Sequence, residues 1–220
     1  MISTAQHPPA SYQLTIDLTP HFNNCGIACP QHRKSGDLDG LGTILCAESL
    51  PESRTEIACN GVGFLFPDKS DACNDNIACE GQEISLPDGH YDALHVLGMC
   101  DWRAFEERLI LYFAEGTFAP KMLGLSDAPR YRGLLFGERE AIACRLVALD
   151  DLIPHVYLLG TLLPADDYQM RQMSLDAGLW HQIVPVESCR PLAGLVLPDN
   201  PSMHIFALTL TAAGDWHREV

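Results

Sequence analysis

Tyr12, Leu14, Ile16 and Leu18 alternate with Gln13, Thr15, Asp17 and Thr19, and Pro20 ends the pattern. A period of two places every apolar side chain on one face of a strand and none on a single helix face. Later apolar runs are short, and most are closed by turn residues. Val62 to Phe66 ends at Pro67-Asp68, Glu83 to Leu86 at Pro87-Asp88-Gly89, Arg108 to Phe113 at Glu115-Gly116, and Leu192 to Leu197 at Pro198-Asp199-Asn200-Pro201. Thr43 to Ala47, Ala93 to Met99, Met122 to Leu125, Gly133 to Phe136, Ala141 to Leu146, Val156 to Leu159 and His204 to Leu210 complete the series. Fifteen prolines and seventeen glycines are spread along 220 residues, which leaves no room for a long helix. Short strands at this spacing predict an all-β fold, a two-sheet antiparallel β-sandwich of jelly-roll type.

Two segments read as short helices, Asp101 to Glu107 with Asp101 as a cap and Ala165 to Ala177. The strand before Pro87-Asp88-Gly89 and the one after it read as a hairpin. Leu197-Pro198-Asp199 before the strand with His204 echoes Leu86-Pro87-Asp88 before the strand with His95, and both are expected to be hairpin corners. Residues 21–42, rich in Gly and Asn, form a long irregular segment of the kind that carries function. Residues 1–11 are polar and expected to be flexible, and 12–220 are expected to form a single β-sandwich domain.

The formal net charge is −15, with only 14 basic residues and no run of them. Nucleic-acid affinity depends on clustered Lys and Arg, so nucleic acid and anionic membrane are excluded as main partners. No stretch approaches the ~20 apolar residues of a membrane span. The sequence as it stands carries no secretory signal and reads as cytoplasmic; as a part of an exported protein it would be extracellular. The nine cysteines are odd in number and form no Cys-x-x-Cys pair. Most are therefore expected to be buried, reduced thiols. Cys25 with Cys29, and Cys73 with Cys79, are the pairs to examine for a bridge.

Gly36-Asp37-Leu38-Asp39-Gly40 sets two carboxylates in a glycine-bounded loop. Asp37 and Asp39 are thus the candidate metal ligands, calcium being the hard cation such oxygens suit. The same carboxylates can accept from adjacent hydroxyls of a ligand, and the amides of Asn23 and Asn24 both donate and accept. Trp102 and Trp180 fall outside the clean strand patterns and are candidates for exposed rings on which a sugar face packs. His21, Cys25, Cys29 and His32 match no zinc spacing. No nucleophile elbow, phosphate loop or dinucleotide fingerprint is present, so no catalytic residue is assigned.

Several stretches together resemble a known family. They are Ile16-Asp17-Leu18-Thr19, Phe22-Asn23-Asn24-Cys25-Gly26-Ile27, Gly36-Asp37-Leu38-Asp39-Gly40, Phe64-Leu65-Phe66-Pro67, Gly81-Gln82-Glu83-Ile84, Leu86 to Leu94, Leu123 to Asp127 and Leu197 to Leu208. Their order and spacing resemble the galactose-binding-like jelly-roll modules found beside catalytic domains in bacterial glycoside hydrolases. The resemblance implies a β-sandwich that binds carbohydrate or supports an enzyme, sometimes with a structural calcium. The function expected is weak, non-catalytic carbohydrate binding through Asn23, Asn24, Asp37, Asp39, Trp102 and Trp180. The alternatives are a carboxylate-based glycoside hydrolase and a structural or protein-interaction domain without a small ligand.

Overall fold

The computed structural model describes residues 12–29, 36–70, 73–148 and 173–212. These form fourteen strands: β1 (Tyr12–Ile16), β2 (Ile27–Ala28), β3 (Thr43–Cys46), β4 (Glu56–Cys59), β5 (Val62–Leu65), β6 (Ile77–Glu80), β7 (Glu83–Gly89), β8 (Ala93–Cys100), β9 (Phe105–Phe113), β10 (Phe118–Leu125), β11 (Arg139–Ala148), β12 (Met173–Pro185), β13 (Leu192–Val196) and β14 (Asp199–Ala212). The only helical elements among the described residues are three single 3-10 turns. The all-β sandwich expected from the alternation is the observed fold. No helix of the described residues is long and apolar enough to cross a membrane.

An eight-stranded sheet runs β1-β14-β8-β12-β11-β3-β2, with β6 also paired to β14. A four-stranded sheet runs β10-β9-β13-β7, and β4 and β5 make a separate ribbon. All pairings are antiparallel except β2 with β3. Strand β8 lies at the centre and its alternation sets the layers. Leu94 and Val96 join Leu109, Leu111, Leu123 and Leu195 of the four-stranded sheet in one core. Leu97 and Met99 point the other way and join Val62, Phe64 and Phe66 at the ribbon. Every side chain named here is buried, and each such side chain stabilises the fold by roughly 1.5–3 kcal/mol.

Several local expectations are overturned. Strands β7 and β8 are not a hairpin: β7 pairs with β13 in the small sheet, and β8 pairs with β12 and β14 in the large one. The chain crosses between sheets at residues 89–93, where Tyr91 lies under Gly89 so closely that a Cβ there would stand 2.7 Å from the ring. Leu197-Pro198 makes the second such crossing, from β13 to β14. Neither Leu-Pro-Asp is a hairpin corner: Leu86-Pro87-Asp88 lies within β7, which leaves the small sheet after Gly89, and Leu197-Pro198 is the link from β13 to β14. The helix expected from Asp101 is absent; residues 101–103 are a bend and β9 begins at Phe105. The described end of the other expected helix, residues 173–177, is part of strand β12, paired antiparallel with residues 144–148 of β11. Residues 133–136, expected as a strand, are irregular. The strand expected at Val156 to Leu159 lies outside the described residues.

Candidate functional site

Among the expected ligand residues, Trp102 carries a large ring that is 61% exposed. It follows Cys100 and Asp101 at the end of β8, with a positive φ of 64°. The Arg103 N–H donates to the Asp101 carbonyl at 2.6 Å. An i to i+2 bond around a positive φ is the rare, strained form of the γ-turn, and a left-handed backbone costs a non-glycine residue about 1–2 kcal/mol. The strain is held by the Arg132 guanidinium, which donates to the Trp102 carbonyl at 2.9 Å and pairs with the Asp127 carboxylate at 2.7 Å.

Arg132 also lies over the exposed ring of Tyr131. Arg103, Ala104, Asp127, Tyr131, Arg132, Gly133 and Leu135 line an open concavity of about 460 Å³ beside Trp102. The loop that builds it is pinned from below. Glu138 accepts from the Ser126 and Phe136 N–H groups, and the Gln182 amide donates to the Gly124 and Phe136 carbonyls. Burial raises the Asp127 carboxyl above its ordinary range, against the opposing pull of Arg132.

Trp180 belongs to the support of this loop and not to its surface. It lies in β12, 2% exposed, with its indole N–H donating to the Ser126 and Asp127 carbonyls. The expectation of an exposed ring at Trp180 is corrected: the ring fills space left by Gly178, where a Cβ would stand 2.3 Å from it.

The polar loop residues turn much of their capacity inward. Asn23 bonds the backbone of Ala78 on both its donor and acceptor sides. Asn24 donates to the Asp37 and Leu38 carbonyls. Oδ1 of Asp37 accepts from the Gly42 N–H, and Oδ1 of Asp39 accepts from those of Leu41 and Thr43. Among the described residues no group of three or more His, Cys, Asp or Glu side chains is gathered as a metal centre. Cys46, Cys59, Cys79, Cys100 and Cys144 are buried free thiols, and Cys73 and Cys189 are exposed ones. Cys73 and Cys79 form no bridge. Burial pushes the thiols of Cys100 and Cys144 up to about 12, so they are inert.

Sequence reasoning missed a buried polar relay beneath Trp102. Asp75, fully buried, accepts from the Gly26 and Ile27 N–H groups and from the Asn76 amide. The Asn76 amide also donates to Oδ1 of Asn24 at 2.8 Å, which leaves Oδ1 of Asn76 to accept from Nδ1 of His204 at 2.9 Å. Nε2 of His204 lies 3.6 Å from Oδ2 of Asp101. The signal in the sequence was His204 itself, a polar residue inside the apolar run Met203 to Leu208. His95 gives the same signal within Ala93 to Met99, and its Nδ1 shares a 2.9 Å hydrogen bond with Nε2 of His181.

Residues 11–109 match the family model of the AziU2-like beta-sandwich domain. A search of curated proteins finds no match to the chain. The matched segment supplies β1 to β8 and most of β9. Five of these, β1, β6, β7, β8 and β9, pair with β13 or β14 beyond it. The likeness thus covers strands that complete their sheets only with the rest of the chain.

Proposed function

We propose that residues 12–220 act as one domain, a non-catalytic β-sandwich module that binds carbohydrate weakly, of the kind that accompanies glycoside hydrolases. The observation that carries the reading is Trp102, a large ring pushed into solvent on a strained turn beside an open concavity lined in part by Arg103, Asp127 and Arg132. Strain kept at an exposed position points to use rather than to stability. A pyranose C–H face packs on such a ring, and Arg103, Arg132 and Tyr131 offer hydrogen bonds to its hydroxyls. Each such bond replaces one to water, so the net gain is small. Micromolar to millimolar affinity follows, about −4 to −8 kcal/mol. In this reading Trp102 touches the ligand and Trp180 positions the loop under it. Asn23, Asn24, Asp37 and Asp39 shape the neighbouring loop, where the two carboxylates remain the calcium candidate.

The test is a glycan panel with calorimetry on each hit, repeated on Trp102→Ala. Binding weakened at least tenfold by that change, in a protein with unaltered melting, is the expected result. No binding to any glycan at millimolar concentration would sink the proposal and favour an interaction domain. The hydrolase alternative needs two placed carboxylates; Asp127, which lines this concavity and is raised by burial, would be one of them. Turnover of a chromogenic glycoside, lost in Asp127→Asn, would replace the binding reading with that one.

A further inference from the structure

Strand β14 has two partners along one edge and a gap between them. There β1 pairs with residues 208–212 and β6 with residues up to Ile205, so among the described strands none pairs with Phe206 and Ala207 on that side. On its other edge β14 slips by one residue at the same place. Ile205 and Ala207 oppose the consecutive Gly98 and Leu97, and Phe206 is the extra residue of a bulge. Bulges re-aim a side chain and gather next to active sites. Phe206 here lines a cavity of about 420 Å³ at the gap. Leu18, Phe66 and Phe206, all buried, and Phe22 and Leu65, half-buried, give it apolar walls. It shares no lining residue with the concavity beside Trp102.

The charges on this cavity are Asp17, Asp68 and Arg54. Hydrogen bonds from Thr19 hold the Asp17 carboxyl below its ordinary range, and those from Ser70 do the same for Asp68, so both are anions near neutral pH. The Arg54 guanidinium pairs with Asp68 at 2.7 Å from a side chain that is 76% exposed, a surface pair of the kind that contributes little and is easily exchanged. Asp17 accepts from the Thr19 N–H and has no Lys or Arg partner among the described residues; His21 is the only basic group that acts on it. Asn74 donates to the Phe22 carbonyl, which leaves its Oδ1 to accept. Arg54 apart, the spare polar capacity is thus made of acceptors, with a surplus of one negative charge. We propose that this cavity binds a small organic cation, an ammonium group carried on an apolar body. An ammonium has three donors and no acceptor. A carboxylate ligand would meet like charge at Asp17. The apolar body displaces water from Phe22, Leu65 and Phe206, in a volume within the usual range of small-molecule sites. The inference is independent of the carbohydrate reading.

The probe is phenethylammonium, titrated into the full chain by calorimetry beside two controls of similar shape, neutral phenethyl alcohol and anionic phenylacetate. The ammonium should bind about tenfold more tightly than the alcohol, as one charge-assisted hydrogen bond in place of a neutral one allows, and phenylacetate should not bind at millimolar concentration. Asp17→Asn keeps an oxygen for the Thr19 N–H and removes the charge; it should abolish the preference for the ammonium over the alcohol. Arg54 stands at a positive φ of 55°, which Asn tolerates, so Arg54→Asn keeps the turn and frees Asp68. That variant should bind the ammonium several-fold more tightly than the wild type, and it decides the matter even if Asp17→Asn fails to fold. Trp102→Ala should leave the affinity unchanged. No binding of the ammonium at millimolar concentration, or equal binding of the alcohol or of phenylacetate, overturns the proposal. So does an affinity that Arg54→Asn leaves unchanged or weakens, or one that Trp102→Ala removes, which would put the ammonium in the other concavity.

Discussion

Replacing His181 by Gln should flatten the acid limb of the stability profile. His181 is 2% exposed and its Nε2 shares a hydrogen bond with His95. Its Nδ1 has no partner, and its ring meets Phe64 edge to face at 5.2 Å. Burial, then the charge of a protonated His95 and of Arg139, lowers it from 6.5 to about 4. The fold thus holds His181 neutral while the unfolded chain protonates it near 6.5. The unfolded state binds more protons between those values, so this contribution is present above pH 6.5 and lost as pH falls towards 4. At 1.36 kcal/mol per unit the shift amounts to about 3 kcal/mol, a large part of a typical domain's stability.

Asp75 works against it over the same range. Burial, the largest influence on its carboxyl, pushes it up to about 7 although Asn76, Ile27 and Gly26 donate to it. Its contribution is therefore present below pH 4 and lost as pH rises through 7. The wild-type profile alone mixes the two, and the difference between wild type and His181→Gln isolates the histidine. Urea denaturation at pH 7, 6, 5 and 4 reads it. At pH 7 the wild type should lead, since Gln loses the packing on Phe64. That lead should shrink by about 3 kcal/mol by pH 4. A difference that stays constant across the series would refute the buried, neutral histidine pair.

Two further outcomes are expected. Gly178→Ala sets a Cβ 2.3 Å from the Trp180 ring, and thermal unfolding should show a loss of about 1–3 kcal/mol from overpacking. If Asp37 and Asp39 hold calcium, the ion should raise the melting midpoint of the wild type and leave the double alanine variant unmoved. The metal-free variant should still be less stable by about 1 kcal/mol for the lost acceptors of the Leu41, Gly42 and Thr43 N–H groups.

The strands were legible because alternation and turn residues are local. Their partners were not: Pro87-Asp88-Gly89 reads as a turn yet lies within β7, and no local signal says which sheet receives the next strand. Trp180 looked exposed because the two residues that give it room and a carbonyl to bond, Gly178 and Ser126, carry no apolar pattern. Asn24 and Asp37 were singled out as ligand residues, and they do share a polar cluster. The end that matters to that cluster, His204, stands 128 residues from Asn76, and only the pairing of β6 with β14 brings them together.

That late strand also bears on how the chain is made. Strand β14 is the last described strand, yet β1, β6 and β8 all pair with it. A nascent chain emerging from the ribosome would complete the sequences of β1 to β9 well before that partner exists. Their open edges and the apolar faces of Leu94, Val96, Leu97 and Met99 would wait uncovered, a state prone to wrong pairing. Such non-local closure also makes folding slow. The late arrival of β14 makes the newly synthesised chain, more than the finished one, the form that needs protection from aggregation.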